Sequence, residues 1–203
     1  NLLNETVKLA EKLSNERKKI ASDFEKKVKD ELAFLDMPKM QFFVNFEKGN
    51  LSSTGFDKIE FKISANPGEP PKSLSKVASG GELSRIMLAI KSVLAEKDNV
   101  STLIFDEIDT GISGRAADKV GLQLQKVAQN HQVICVTHLA QIAAYAENHL
   151  LIEKTSHNDR TYTSVTTLDY ESRIREIARI MSGADITENL YNSAKELLDR
   201  SKK

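Results

Sequence analysis

Lys76-Val77-Ala78-Ser79-Gly80-Gly81-Glu82-Leu83-Ser84-Arg85 is a glycine-bearing turn that runs straight into an apolar helical pattern. Two strand-like stretches follow it. Thr102-Leu103-Ile104-Phe105-Asp106-Glu107 is apolar and ends in two acids. Gln132-Val133-Ile134-Cys135-Val136-Thr137-His138 is apolar and ends in histidine. Each piece has a plain explanation when taken singly. A Ser-Gly-Gly before a helix is commonly just a cap. An acidic pair is commonly a solvated turn, and a lone histidine commonly makes a structural hydrogen bond. Their order, their spacing and their shared sheet edge point instead to a phosphate site.

The chemistry supports that direction. Gly80 and Gly81 let the backbone approach a ligand closely, at a helix start where unpaired N–H groups favour an anion. Ser79 adds a hydroxyl donor. Asp106 and Glu107 emerge at the C-terminal end of a strand, where α/β sheets bind ligands. One acid can hold Mg²⁺, mostly through water, and the other can orient and deprotonate a water. His138 ends the next strand at the same edge. His131, His149 and His157 have no such placement, and zinc-type Cys/His spacing is absent.

Upstream, Asn1 to about Asp36 is one Lys- and Glu-rich helical pattern. Leu2, Leu9, Leu13 and Ile20 keep a heptad-like seam, and Phe24, Val28, Leu32 and Leu35 continue it in a shifted phase. A coiled-coil strand and a long amphipathic surface helix fit this pattern about equally. Pro38 closes it. Phe42 to Phe46 and the alternating Phe56 to Ser64 read as strands, with the polar stretch Glu47 to Gly55 as their hairpin connection. Asn66 to Pro71 breaks regular structure.

Downstream the rhythm is helix, strand, helix, strand. Helices are expected over Leu83–Glu96, Gly114–Asn130 and Leu139–Ala146, with buried strands over Thr102–Phe105 and Val133–Val136. Apolar strands joined by helices predict a parallel sheet covered on both faces. Leu150–Glu153 and Tyr162–Leu168 are expected to finish that sheet. Two helices, about Glu171–Met181 and Thr187–Arg200, close the chain, with Gly183 as a C-terminal stop and Thr187 as an N-cap.

Lys+Arg and Asp+Glu each number 29, so the net charge of zero lends no support to a wholesale nucleic-acid footprint. Cys135 is the single cysteine, so no internal disulfide can form and a reducing compartment is expected. Its apolar setting marks it as a core residue. No apolar run approaches the ~20 residues of a membrane span. The chain starts at Asn1 inside a helical pattern, which we read as an excised fragment.

The three quoted pieces resemble the C-terminal half of an ABC-type ATPase head. Ser79-Gly80-Gly81-Glu82 resembles the ABC signature, and Leu103 to Glu107 resembles Walker B with its glutamate. Asp109-Thr110-Gly111-Ile112-Ser113-Gly114 holds the D-loop position and His138 the switch-histidine position. The long flanking helix points to the SMC-like branch. Ser64 to Pro70, Lys76 to Arg85, Phe105 to Gly114 and Val133 to Gln141 resemble the RecN family of bacterial SMC-like recombinational repair proteins. The similarity runs from about Phe56 to the C-terminus, including Arg173 to Gly183. Residues 1–37 match a coiled-coil arm by position and pattern only.

The resemblance implies an α/β fold: the C-terminal lobe of an ABC/SMC-type P-loop ATPase head (38–203) with a coiled-coil stub (1–37). It implies a cytoplasmic, nucleoid-associated ATPase acting on broken DNA ends, with ATP and Mg²⁺ sandwiched between two heads. Asp106 would serve Mg²⁺ and Glu107 would activate water. His138 would contact the γ-phosphate of its own head. Ser79, Gly80, Gly81 and Glu82 would meet the nucleotide of a second copy, and Asp109 and Ser113 would line the head–head contact. No G-x-x-x-x-G-K-[ST] loop exists in the chain. The lysine and adenine contacts must therefore come from an N-terminal half of the same head, and the chain alone should be inactive. Ser113 stands where many SMC-like heads have aspartate. The competing readings are a non-catalytic partner-binding module and a transporter ATPase subunit.

Overall fold

The Lys/Glu-rich opening forms one helix, α1 (Leu2–Phe34). In this computed structural model residues 2–95, 97–157, 160–183 and 185–201 are described, the side chains of His157 and Arg160 excepted. Asn1 and Glu96, which bound two of the expected helices, lie outside the described residues. The chain divides into two compact units, Asn1–Asn99 and Val100–Lys203.

In the first unit, α1 buries one stripe that runs from Ala10 and Ser14 to Val28 and Leu32, and most of the leucine seam read in its first half lies off that stripe. Leu2, Leu9 and Ile20 are 81%, 68% and 69% exposed, whereas Val28, Leu32 and Leu35 are fully buried. Phe24 enters the core edge-on against Phe42 at 5.7 Å, and both rings meet Phe61. Polar ties hold the same face. Ser14 donates to Asp57 at 2.7 Å and Arg17 at 3.0 Å, and Glu25 accepts the Val44 N–H at 2.6 Å. The helix stops before Pro38. Asp36 takes a left-handed φ of 67°, its N–H donates to Ala33 O, and the Met37 N–H donates to Leu32 O. These two bonds make a Schellman stop with aspartate at the position glycine usually fills.

β1 (Gln41–Ser52) and β2 (Gly55–Ser64) form an antiparallel hairpin, and β3 (Lys72–Ser73) adds to the other edge of β2. The connection expected over Glu47–Gly55 is mostly strand. Glu47 faces Lys58 and Lys48 faces Asp57, so opposite charges carry the ladder past Phe46. α2 (Gly80–Leu94) buries Ile86, Leu88, Ala89 and Ile90 and packs on α1.

In the second unit, β4 (Thr102–Phe105) and β5 (Gln132–Cys135) pair in parallel, joined through α3 (Gly114–Val127). Leu103, Phe105 and Ile108 are buried, as are Ala117, Val120, Leu124 and Val127 of α3. The opposite face departs from expectation. Ile104 is 70% exposed, Ile134 45% and Val136 52%, so the sheet is covered on one face only. Burying a side chain of this size is worth about 1.5–3 kcal/mol, and the helices of this unit leave that gain unrealised for all three.

α4 (Ala140–Ala144) follows, then β6 (Leu150–His157) and β7 (Arg160–Thr167), an antiparallel pair. Among the described residues these strands pair only with each other, so they do not finish the β4–β5 sheet as expected. α5 (Tyr170–Ser182) and α6 (Glu188–Arg200) close the chain. Asp169 caps α5 by accepting the Ser172 N–H, Thr187 caps α6 by accepting the Leu190 N–H, and Gly183 ends α5 at φ 67°. Ile174, Ile177, Ala178, Ala194 and Leu198 pack with Ala140 and Ala144 into one core. The buried Arg173 guanidinium donates to the Ala146 and Glu147 carbonyls beyond α4.

Candidate functional site

The second unit brings four of the expected residues to one sheet edge. β4 and β5 are in register from Thr102↔Gln132 to Phe105↔Cys135, and the Val136 N–H extends the ladder to Phe105 O at 2.9 Å. Asp106-Glu107 therefore leaves the sheet beside Val136-Thr137-His138. Asp106 and Glu107 are exposed, as a pair meeting a ligand must be.

Glu107 sits at φ 57°. A residue with a Cβ pays about 1–3 kcal/mol for such a conformation. The turn holds it there: the Glu107 N–H donates to Asp106 Oδ1 at 2.9 Å, and its carbonyl accepts the Thr110 N–H at 3.0 Å. The geometry turns the chain sharply out of the strand, so that successive acids point different ways.

Asp109 behaves differently from its neighbours. It is only 3% exposed. Its Oδ2 accepts from the Thr137 hydroxyl at 2.6 Å and from the His138 N–H at 2.8 Å, and lies 3.1 Å from His138 Nδ1. The Thr137 hydroxyl in turn accepts the Leu139 N–H at 3.1 Å. A buried carboxylate needs such donors, since its desolvation is otherwise uncompensated. His138 itself projects outward, its side chain 75% exposed. Thr137, given no role from the sequence, is the residue whose hydroxyl ties Asp109 to the chain entering α4. Its signal was the hydroxyl two residues before the N-cap Leu139 of α4, an ST-turn position.

Cys135 is half-buried, not the full core residue expected. Burial, reinforced by the charges of Asp109 and Asp106, pushes its thiol up to about 12. The edge is thus acid-rich, with Asp106, Glu107 and Asp109 within four residues. Ser113 is exposed at the N-cap of α3, with no side-chain cap bond.

Ser79, Gly80, Gly81 and Glu82 lie in the first unit. Ser79 is the N-cap of α2, its hydroxyl oxygen accepting the Glu82 N–H at 3.3 Å. Gly80 is exposed and Gly81 buried, while Ser79 and Glu82 are half-buried. The capping bond leaves the Ser79 hydroxyl proton available to a second acceptor. His131 is buried with Nδ1 2.7 Å from Val100 O, a structural role. Burial lowers the pKa of His149. Among the described residues, no group of three or more His, Cys, Asp or Glu could hold a metal by itself. A lone carboxylate still suits Mg²⁺, which keeps its waters and binds through phosphates.

The fold is that of SMC-type ATPase heads. One similar solved chain is an SMC ATPase described for ATP-driven dimerization and DNA-stimulated activation, with a TM-score of 0.50 and 19% identity, covering 84% of this chain and 99% of that one. The Smc head domain with a coiled coil and joint from Pyrococcus yayanosii gives a TM-score of 0.54 at 19% identity, covering 89% of this chain and 29% of that one. No family model matches the chain. Among curated proteins, DNA repair protein RecN of Halalkalibacterium halodurans is 43% identical over 192 residues, 92% of this chain and 34% of that protein. RecN of Vibrio cholerae is 42% identical over 194 residues, 95% and 35%. RecN of Bacillus subtilis is 48% identical over 158 residues, 78% and 27%. The chain belongs to the RecN family, and it spans about a third of the length of these curated relatives.

Proposed function

We propose that this chain is the C-terminal lobe of the ATPase head of a DNA repair protein that acts on double-strand breaks by recombinational repair. Residues 1–37 serve as an arm stub and 38–203 as the lobe. The observation that carries this reading is the exposed Asp106-Glu107 pair, leaving β4 beside His138 at the end of β5. Glu107 takes a proton from the attacking water, and His138 contacts the γ-phosphate of its own head. Ser79, Gly80, Gly81 and Glu82 present hydroxyl and N–H donors to the nucleotide of a second head, and the exposed Ser113 lines the contact between heads; Asp109, expected beside it, is only 3% exposed and stands behind that surface, not on it. Asp106 would hold Mg²⁺, through water. When bound there, the ion would supply positive charge to the transferred phosphoryl group.

The acid-rich edge favours this division of labour. Three carboxylates within four residues repel a nucleotide unless cations intervene. The Walker A lysine belongs to an N-terminal half of the same head. ATP-driven pairing of two heads, DNA ends as the target and a cytoplasmic, nucleoid-associated location complete the proposal. No described helix is long and apolar enough to cross a membrane.

The test is ATP hydrolysis by this chain alone and after addition of the N-terminal half. Silence alone and turnover on mixing support the split head. Turnover by the chain alone overturns it. In the complete protein Glu107→Gln should keep ATP binding and lose ~10²–10⁴-fold in turnover, and unchanged turnover would remove Glu107 from the mechanism.

A further inference from the structure

We infer that Asp109 is a positioning residue for His138: its buried carboxylate fixes the imidazole with Nδ1–H turned inward, so that Nε2 is the nitrogen presented to a ligand. The inference deepens the proposed function and rests on it for the ligand, but the ring geometry stands by itself.

A bare ring nitrogen 3.1 Å from a carboxylate oxygen would set lone pair against lone pair, so the electrostatics favour the proton on Nδ1. The carboxylate is held in turn. The Thr137 hydroxyl and the His138 N–H both donate to the same Oδ2, so one oxygen fixes the side chain before His138 and the backbone of His138, and stands 3.1 Å from its ring nitrogen. Asp109 is 3% exposed and cannot swing out to solvent without breaking both hydrogen bonds. His138, by contrast, is exposed and would sample several rotamers without this anchor. Orientation of a histidine by a carboxylate on its second nitrogen is the general way to choose its tautomer. Asp109 therefore acts through His138 and does not touch the ligand for this purpose.

Long-range proton–nitrogen correlation NMR of this 203-residue chain reads the tautomer directly. We expect the neutral His138 ring to carry its proton on Nδ1, and Asp109→Asn to shift it toward Nε2. Thr137→Val, which removes a donor to Asp109 but leaves the carboxylate, should keep the Nδ1 proton. An Nε2-protonated ring in the unaltered chain overturns the inference, and this result needs no variant to fold. So does a tautomer that Asp109→Asn leaves unchanged. In the complete protein Asp109→Asn should lower kcat by ~10–100-fold with KM nearly unchanged, and should have no further effect in a His138→Ala background. A loss that persists in that background assigns Asp109 a merely structural role. A complete protein without turnover removes the proposed function, and the NMR result still decides the positioning role.

Discussion

The ring of Tyr145 lies over Gly121 of α3 so closely that a Cβ on the glycine would stand 2.3 Å from Tyr145 Cδ2. The contact seats the end of α4 on α3 and allows no side chain there. Gly121→Ala should therefore destabilise the chain by about 1–3 kcal/mol, the usual cost of overpacking. Urea denaturation measures it. The same substitution made with Tyr145→Ala should cost less than the sum of the two single changes.

α1 offers a comparison of two leucines on one helix. Leu32→Ala should cost about 2–5 kcal/mol, because Leu32 is fully buried. Leu9→Ala should stay within about 0.5 kcal/mol, because Leu9 is 68% exposed. Equal losses would mean that the outer seam is already packed against something in solution.

Asp57 carries a pH signature. The Ser14 hydrogen bond, helped by Arg17, holds its carboxyl below the ordinary value of 3.8. A depressed carboxylate stabilises the fold above its unfolded pKa, and that contribution is lost as the pH falls through the folded value. The stability gap between the unaltered chain and Asp57→Asn should be constant from neutral pH down to about 5 and close as the solution is acidified further. Denaturation midpoints across that range give the answer, and a gap that widens in acid contradicts it.

Glu107 tests backbone strain. Glycine meets no Cβ penalty at positive φ, so Glu107→Gly should leave stability unchanged or raise it by about 1 kcal/mol. Glu107→Gln keeps the strain and should not move the melting temperature. A clear loss of stability in the glycine variant would show that the glutamate side chain holds the turn.

Cys135 should resist thiol reagents. With its thiol pushed up to about 12, almost none is thiolate at pH 8. Labelling should be slow in the native chain and fast in urea.

Much of this was legible in the sequence because it rests on local chemistry. The α5 and α6 boundaries follow from Thr187 and Gly183, residues whose side chain or φ serves only an end. Of the two apolar runs read in α1, the second, with Val28, Leu32 and Leu35, lies on the buried stripe, which already begins at Ala10 and Ser14, whereas Leu2, Leu9 and Ile20 of the first stand on an exposed face. The order of acids and histidine marked the sheet edge. What stayed hidden depends on through-space partners. Asp109 meets Thr137 across 28 positions of sequence, and only the register of β4 and β5 brings them together. The bare face of that sheet was equally hidden, because an apolar strand shows that a face wants cover, not that this chain supplies it. The length of the β1–β2 hairpin was missed because its outer half is held by paired charges, which read as loop.

α1 runs unbroken for 33 residues, about 50 Å at the helical rise. One end stands in water at Leu2, and the other is locked under the Phe24, Phe42 and Phe61 rings and the Asp36 stop. Such a rod has no joint along its length. A push or twist at the Leu2 end is delivered to the aromatic cluster and the hairpin beneath it, so the helix is a lever whose fulcrum is the core of the first unit.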